Sequence, residues 1–149
     1  MPFRFQLQGL LRYRESLERR EEHRLRALHH EAAFVRQNIA RLDAIETEAY
    51  STRNGCMQEL ELRGSELQFS LICSNERKQV RASWQVQLLE VETQALEQQK
   101  KLVIARQGQR VVERLRDLKL LAYRQEEARR EQKRLDEVFQ QRHLRDSDG

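Results

Sequence analysis

The chain has 149 residues, 35% of them charged and 6% aromatic, with five Gly and one Pro. A hydrophobic share of 38% is too low for a thick two-sided core but enough for a narrow apolar seam, the pattern of long helices. Its 28 basic and 24 acidic residues interleave, so the net charge of +4 makes no single-sign field and argues against a dedicated nucleic-acid surface.

Residues 1–6 form a short lead-in. Phe3 and Phe5 are two apart and share no helical face, and Pro2 suits a start position. From Leu7 the spacing becomes helical. Leu7, Leu10, Leu17, Leu25, Leu28, Ala32, Val35, Ile39, Leu42, Ile45 and Ala49 follow mostly at intervals of three and four, with Arg14 and Glu21 as polar occupants of the stripe. The step from Glu21 to Leu25 breaks the strict heptad in this reading, which would locally unwind a supercoil. A helix over about residues 7–50 is some 65 Å long, at about 1.5 Å per residue, and cannot bury its stripe alone.

Ser51-Thr52-Arg53-Asn54-Gly55 favours caps and turns, and Asn-Gly is a strong breaker, so a turn is expected over about 51–57. The second helix is expected over about 58–142. A later start is the alternative, because Ser65-Glu66-Leu67-Gln68 matches a capping box. Trp84, Leu88, Val91, Ala95, Gln98, Leu102, Ala105, Gln109 and Val112 then alternate steps of four and three, an unbroken heptad seam. The seam slips near Leu115–Leu121, and the tail 143–149 is expected to fray. The fold class is therefore all-α: one coiled-coil domain, an antiparallel hairpin of two long helices with the second longer and overhanging. One continuous parallel dimer is the rival arrangement, and the Asn-Gly break and the unequal stripes favour the hairpin.

The glycines Gly9, Gly55, Gly64, Gly108 and Gly149 are isolated, so no phosphate-cradling loop is present in the sequence. His23, His29, His30 and His143 complete no metal-ligand pattern and read as exposed histidines, while Trp84 reads as a large seam residue. Cys56 and Cys73 set no disulfide framework and read as reduced thiols. A two-helix scaffold has no shaped pocket for nucleophilic catalysis, so a non-enzymatic protein without cofactor or metal is expected. The opening MPFRFQLQGLLRYRE lacks a signal-type apolar run, and no stretch approaches the roughly 20 apolar residues of a bilayer span. A soluble, cytoplasmic protein is expected, without bilayer insertion.

The segment Arg106–Phe139 is rich in Arg, Glu, Gln and Leu, with apolar residues too sparse for a two-sided core. Glu126–Arg130 and Glu131–Arg134 have helical ion-pair spacing, each pair worth roughly 0.2–0.5 kcal/mol. Two readings stand. One is a solvated, self-stabilised face. The other is a docking helix, with Tyr123, Leu135, Val138 and Phe139 as apolar anchors and a rim of arginines.

The run Glu131-Gln132-Lys133-Arg134-Leu135-Asp136-Glu137 resembles the E-Q-K-x-L/M-D-E signature near the C-terminus of the FliJ family of flagellar type III export proteins. Upstream, Arg106, Val112-Glu113-Arg114-Leu115 and Tyr123 are similar to that family's R-x-x-K-x-L-E-K-L and following Tyr. Phe3-Arg4-Phe5-Gln6-Leu7 with Leu10-Leu11 and Arg14-Glu15 resembles its F-x-F-x-L-x-x-L-L-x-x-R-E opening, and Gly55 fits its hairpin. Gln109-Arg110 departs from a frequent Arg-Lys. The resemblance spans essentially the whole chain.

The resemblance implies a stalk similar to the rotary ATPase gamma subunit. Such a stalk enters the central pore of the hexameric export ATPase FliI, promotes its assembly and activity, contacts the cytoplasmic domain of the export gate FlhA and assists in handling export chaperones. It implies a location at the cytoplasmic side of the cell membrane. On that basis Arg106, Glu113, Tyr123, Glu131, Gln132, Asp136 and Glu137 are the expected contact residues, with Phe3, Phe5 and Leu7 closing the terminal end of the hairpin. The alternatives are the corresponding stalk of an injectisome and a generic dimeric coiled-coil scaffold.

Overall fold

A computed structural model of the chain describes residues 1–58 and 63–149. Two α-helices account for nearly all of them: α1, Gln8–Gln58, and α2, Gly64–Ser147, with no strand among the described residues. The helices pack against each other, and α2 is the longer at 84 residues against 51. The packing divides into two compact units. One contains Met1–Arg19 and Ile104–Gly149, the other Arg20–Val103.

In the first unit Leu11 packs with Val112, while Glu18 reaches Arg106. In the second, Arg36 pairs with Glu92 and Glu46 with Arg77. Within each unit residue numbers fall along α2 as they rise along α1, so the pairing is antiparallel.

The heptad seam expected in α2 is present. Val91, Ala95, Gln98 and Leu102 are buried in the second unit, and Ala105 and Val112 in the first. Trp84, Leu88 and Gln109 are half-buried. Trp84 meets Phe34 of α1 edge to face, ring centres 6.4 Å apart, a favoured aromatic geometry.

The seam of α1 differs from its sequence reading. In the first unit it comprises Leu11, Arg14 and Glu18; in the second it runs through Glu21, Leu25, Leu28, Ala32, Val35, Ile39, Leu42, Glu46, Ala49, Arg53 and Cys56. All of these are buried or half-buried. The steps alternate three and four throughout, so the expected break between Glu21 and Leu25 is absent. Glu18 takes the layer before Glu21. Leu10 and Ile45 are exposed, at 39% and 48%, and Leu11 and Glu46 occupy the seam instead. A register in which charged residues hold some layers cannot be followed by tracing apolar residues alone.

The expected turn at 51–57 is corrected as well. Ser51–Gln58 is helical, Asn54-Gly55 included. Gly in a helix interior costs about 1 kcal/mol relative to Ala, and this local cost is outweighed by continued pairing, in which Ala49, Arg53 and Cys56 remain half-buried. The expected helical start at 58–62 falls partly on residues 59–62, outside the described residues; α2 begins at Gly64. The Arg63 amide donates to Glu66 Oε2 at 3.4 Å, the returning half of a capping box set two residues earlier than the Ser65 pattern. At the other end α2 continues to Ser147, so His143–Ser147 is helical rather than frayed. Arg145 in the last turn suits the negative end of the helix dipole, and Ser147 Oγ donates to the Leu144 carbonyl at 2.9 Å.

Candidate functional site

Three kinds of surface are available on these helices: polar layers inside the seam, the junction of the N-terminal segment with α2, and the helix beyond it.

The polar layers hold the register. In the second unit Gln98 Nε2 donates to both the backbone carbonyl (3.1 Å) and the carboxylate of buried Glu21. Arg24 adds a contact to the same carboxylate at 3.3 Å. Further along, Glu46 accepts from Ser74 Oγ and from Arg77 Nε, the latter at 2.8 Å. These donors, Ser74 first, hold the Glu46 carboxyl below its ordinary range. Asp43 takes two donors from Arg81, at 2.5 and 3.2 Å, which raises the already high arginine pKa. In the first unit Arg14 lies across Gly108, where an added Cβ would approach its guanidinium to 3.1 Å. Gly108 is therefore the space that lets a seam arginine lie between the helices.

The N-terminal junction brings several of the expected residues together. Phe5 is buried with Leu11 and Val112, and Phe3 packs partly against them. The Phe3 ring sits 5.5 Å from that of Tyr123. The Tyr123 hydroxyl is directed at both the Met1 carbonyl and Glu127 Oε1, the latter at 2.8 Å. The Glu127 carboxylate and partial burial raise the phenol pKa, so the group stays protonated. Leu7 does not share in this closure. It is 38% exposed, because Leu11, one turn on, takes the inward position.

Arg106 and Glu113 lie on the paired part of α2. Arg106 Nε donates to Glu18 at 3.1 Å, and Glu113 stands 4.0 Å from Arg116. Arg106 and Tyr123 are thus committed to contacts within the first unit.

Glu131, Gln132, Asp136 and Glu137 lie elsewhere. Every residue from Arg124 to Gly149 is exposed. The helical part, 124–147, is roughly 36 Å long at about 1.5 Å per residue. Its surface carries the i,i+4 pair Glu126–Arg130 at 3.5 Å and a Gln132 to Asp136 hydrogen bond at 3.1 Å. Leu135, Val138 and Phe139 are 45%, 45% and 66% exposed. Their spacing of three and one places them on one strip. At about 100° per residue Glu131 and Gln132 share that strip, Asp136 lies at its edge and Glu137 faces away. Further along, Phe139, Gln140, His143 and Leu144 line a shallow apolar groove.

Among the described residues no group of three or more His, Cys, Asp or Glu side chains is placed to hold a metal ion, and no helix is long and apolar enough to cross a membrane. Both cysteines are free thiols. No family model, curated protein or solved structure matches the chain.

Proposed function

We propose that this chain is a stalk of the FliJ type, a non-enzymatic component of the flagellar protein export apparatus. The observation that carries the reading is the stretch of α2 after Tyr123. It is continuously helical, every residue of it is exposed, and it bears one apolar strip shared by Glu131 and Gln132, with Asp136 at its edge. A single helix with charge all round and a few apolar anchors suits the lumen of a protein ring. The proposed mechanism is mechanical. The helix enters the central pore of the export ATPase hexamer, touches its subunits unequally, and favours assembly and particular nucleotide states to the extent that its contacts differ between them. Contacts with the cytoplasmic domain of the export gate and with export chaperones would hold the protein at the inner face of the cell membrane.

The test is a titration of the full chain into purified flagellar export ATPase, following ATP hydrolysis and ring formation together. Stimulation that saturates near one chain per ring is the expected outcome. Asp136→Lys with Glu137→Lys should weaken that stimulation while leaving helicity unchanged. No binding and no stimulation by the unaltered chain would sink the reading.

A further inference from the structure

The outward side of α2 in the second unit carries a second heptad series that the hairpin does not use. Val86, Leu89, Thr93, Leu96, Lys100 and Val103 are separated by steps of three, four, three, four and three. This is the spacing of a coiled-coil seam, yet these side chains face solvent. Val86 is 60% exposed, Leu89 67%, Leu96 63% and Val103 45%. The outer face of a paired helix is ordinarily polar, and a contiguous exposed apolar strip marks an interaction surface. Thr93 fits the series because its hydroxyl donates to the Leu89 carbonyl at 2.8 Å. The polar atom is satisfied within the helix, which leaves the methyl group as the outward contact.

The flanks of the strip define what fits it. Glu90 and Glu97 border one side, and with Val86, Leu89, Thr93 and Gln94 they line an open groove of about 440 Å³. On the other side Glu92 pairs with the exposed Arg36 at 2.7 Å, and both line a groove beside Leu96 with His29, so that flank is not net acidic. Lys100 stands alone as a cation within the strip. An antiparallel second copy of the same face would set Glu90 and Glu97 against their own copies, whereas a helix with basic residues beside its apolar seam would be complementary to them. A lone lysine in one seam layer sets register, and the matching layer of the partner needs an acid or amide.

We infer that this face of α2 docks a basic amphipathic helix of a partner protein, adding a third helix beside the hairpin. The surface lies wholly within Arg20–Val103 and uses no residue of the Glu131–Glu137 motif. It therefore stands or falls separately from ring binding.

The test uses two synthetic peptides of three heptads, both with leucine at the seam positions apart from one glutamine layer. One has lysine at the flanking positions and the other glutamate. Binding to the full chain is read by fluorescence anisotropy of labelled peptide. The lysine-flanked peptide should bind, more weakly as salt is raised, and the glutamate-flanked peptide should bind at least roughly tenfold more weakly, a difference of about 1.4 kcal/mol. Leu89→Asp with Leu96→Asp should abolish binding. Both sites are exposed, so circular dichroism should show the helices intact, and Leu135→Asp should leave peptide binding unchanged. Equal binding of both peptides, binding that survives the double substitution, or no binding of the lysine-flanked peptide would overturn the assignment. A chain that instead doubles its 17.9 kDa mass through Leu96, without taking the peptide, would assign the face to self-association and also overturn it.

Discussion

Two stretches of α2 are helical alike and have different fates. Between Val91 and Val112 a residue is buried at nearly every third or fourth position, and α1 covers it. Between Arg124 and Gly149 nothing is buried at all. What separates them is an apolar seam with a partner, present in the first and absent from the second. The first stretch draws its stability from packing. The second depends on its own backbone and on pairs such as Glu126–Arg130, each worth a fraction of a kcal/mol. Such a helix is free to exchange solvent for another surface at little cost in lost internal contacts.

The contrast breaks most visibly at Leu11, which is 1% exposed. Leu11→Ala should destabilise the chain by about 2–5 kcal/mol in urea denaturation. Phe139→Ala in the unpaired stretch should shift the same midpoint by less than about 0.5 kcal/mol. A comparable loss at Phe139 would mean that the terminal stretch has a partner within the chain.

Next in size is the buried polar layer. Gln98→Ala leaves the Glu21 carboxylate without its inter-helix donor, and a loss of about 1–3 kcal/mol is expected. Gln98→Leu with Glu21→Leu should restore or exceed the original thermal stability, because an apolar layer needs no hydrogen bonds. If the double variant also changes oligomeric mass, the polar layer contributes to pairing specificity as well as stability.

A smaller effect of opposite sign is expected at Gly55, where an added Cβ meets open space and the backbone is helical. Gly55→Ala should stabilise by roughly 0.5–1 kcal/mol in thermal melts. A destabilised variant would show that residue 55 turns in solution and that the sequence-based expectation was right there.

The pH dependence provides the finest test. The folded state depresses the Glu46 pKa through Ser74 and Arg77. A depressed carboxylate stabilises the fold above its unfolded value and loses that contribution as pH falls through the folded one. Stability measured from neutral pH to below the ordinary value of 4.5 should therefore decline, and Glu46→Gln should remove part of that slope. An unchanged slope would assign the acid sensitivity to other carboxylates.

The seam of α2 was legible because Val91, Ala95, Leu102 and Val112 mark the heptad with apolar residues. In α1 the spacing placed Arg14, Glu21, the run from Leu25 to Leu42 and Ala49 in the seam, and all of them are there. The layers it missed include Glu18, Glu46 and Arg53, charged residues that a hydrophobic pattern assigns to the surface. The adjacent pair Leu10-Leu11 could not be told apart by spacing, and which one turns inward depends on where Phe5 and Val112 lie. Among the expected contact residues, the Glu131–Glu137 motif did fall on an open helix. Arg106 and Tyr123 proved to be engaged by Glu18, Phe3 and Met1, contacts between residues about a hundred positions apart that no local pattern encodes.

Sequence alone determined that this protein is helical, built of two long segments, and polar on most of its surface. Composition and periodicity are local properties and are enough for that. Where α1 ends, that Glu18, Glu46 and Arg53 join the seam, and which apolar residues stay outside were decided by tertiary structure. Each of those outcomes depends on the free energy of a layer shared by two helices, and neither helix specifies that layer by itself.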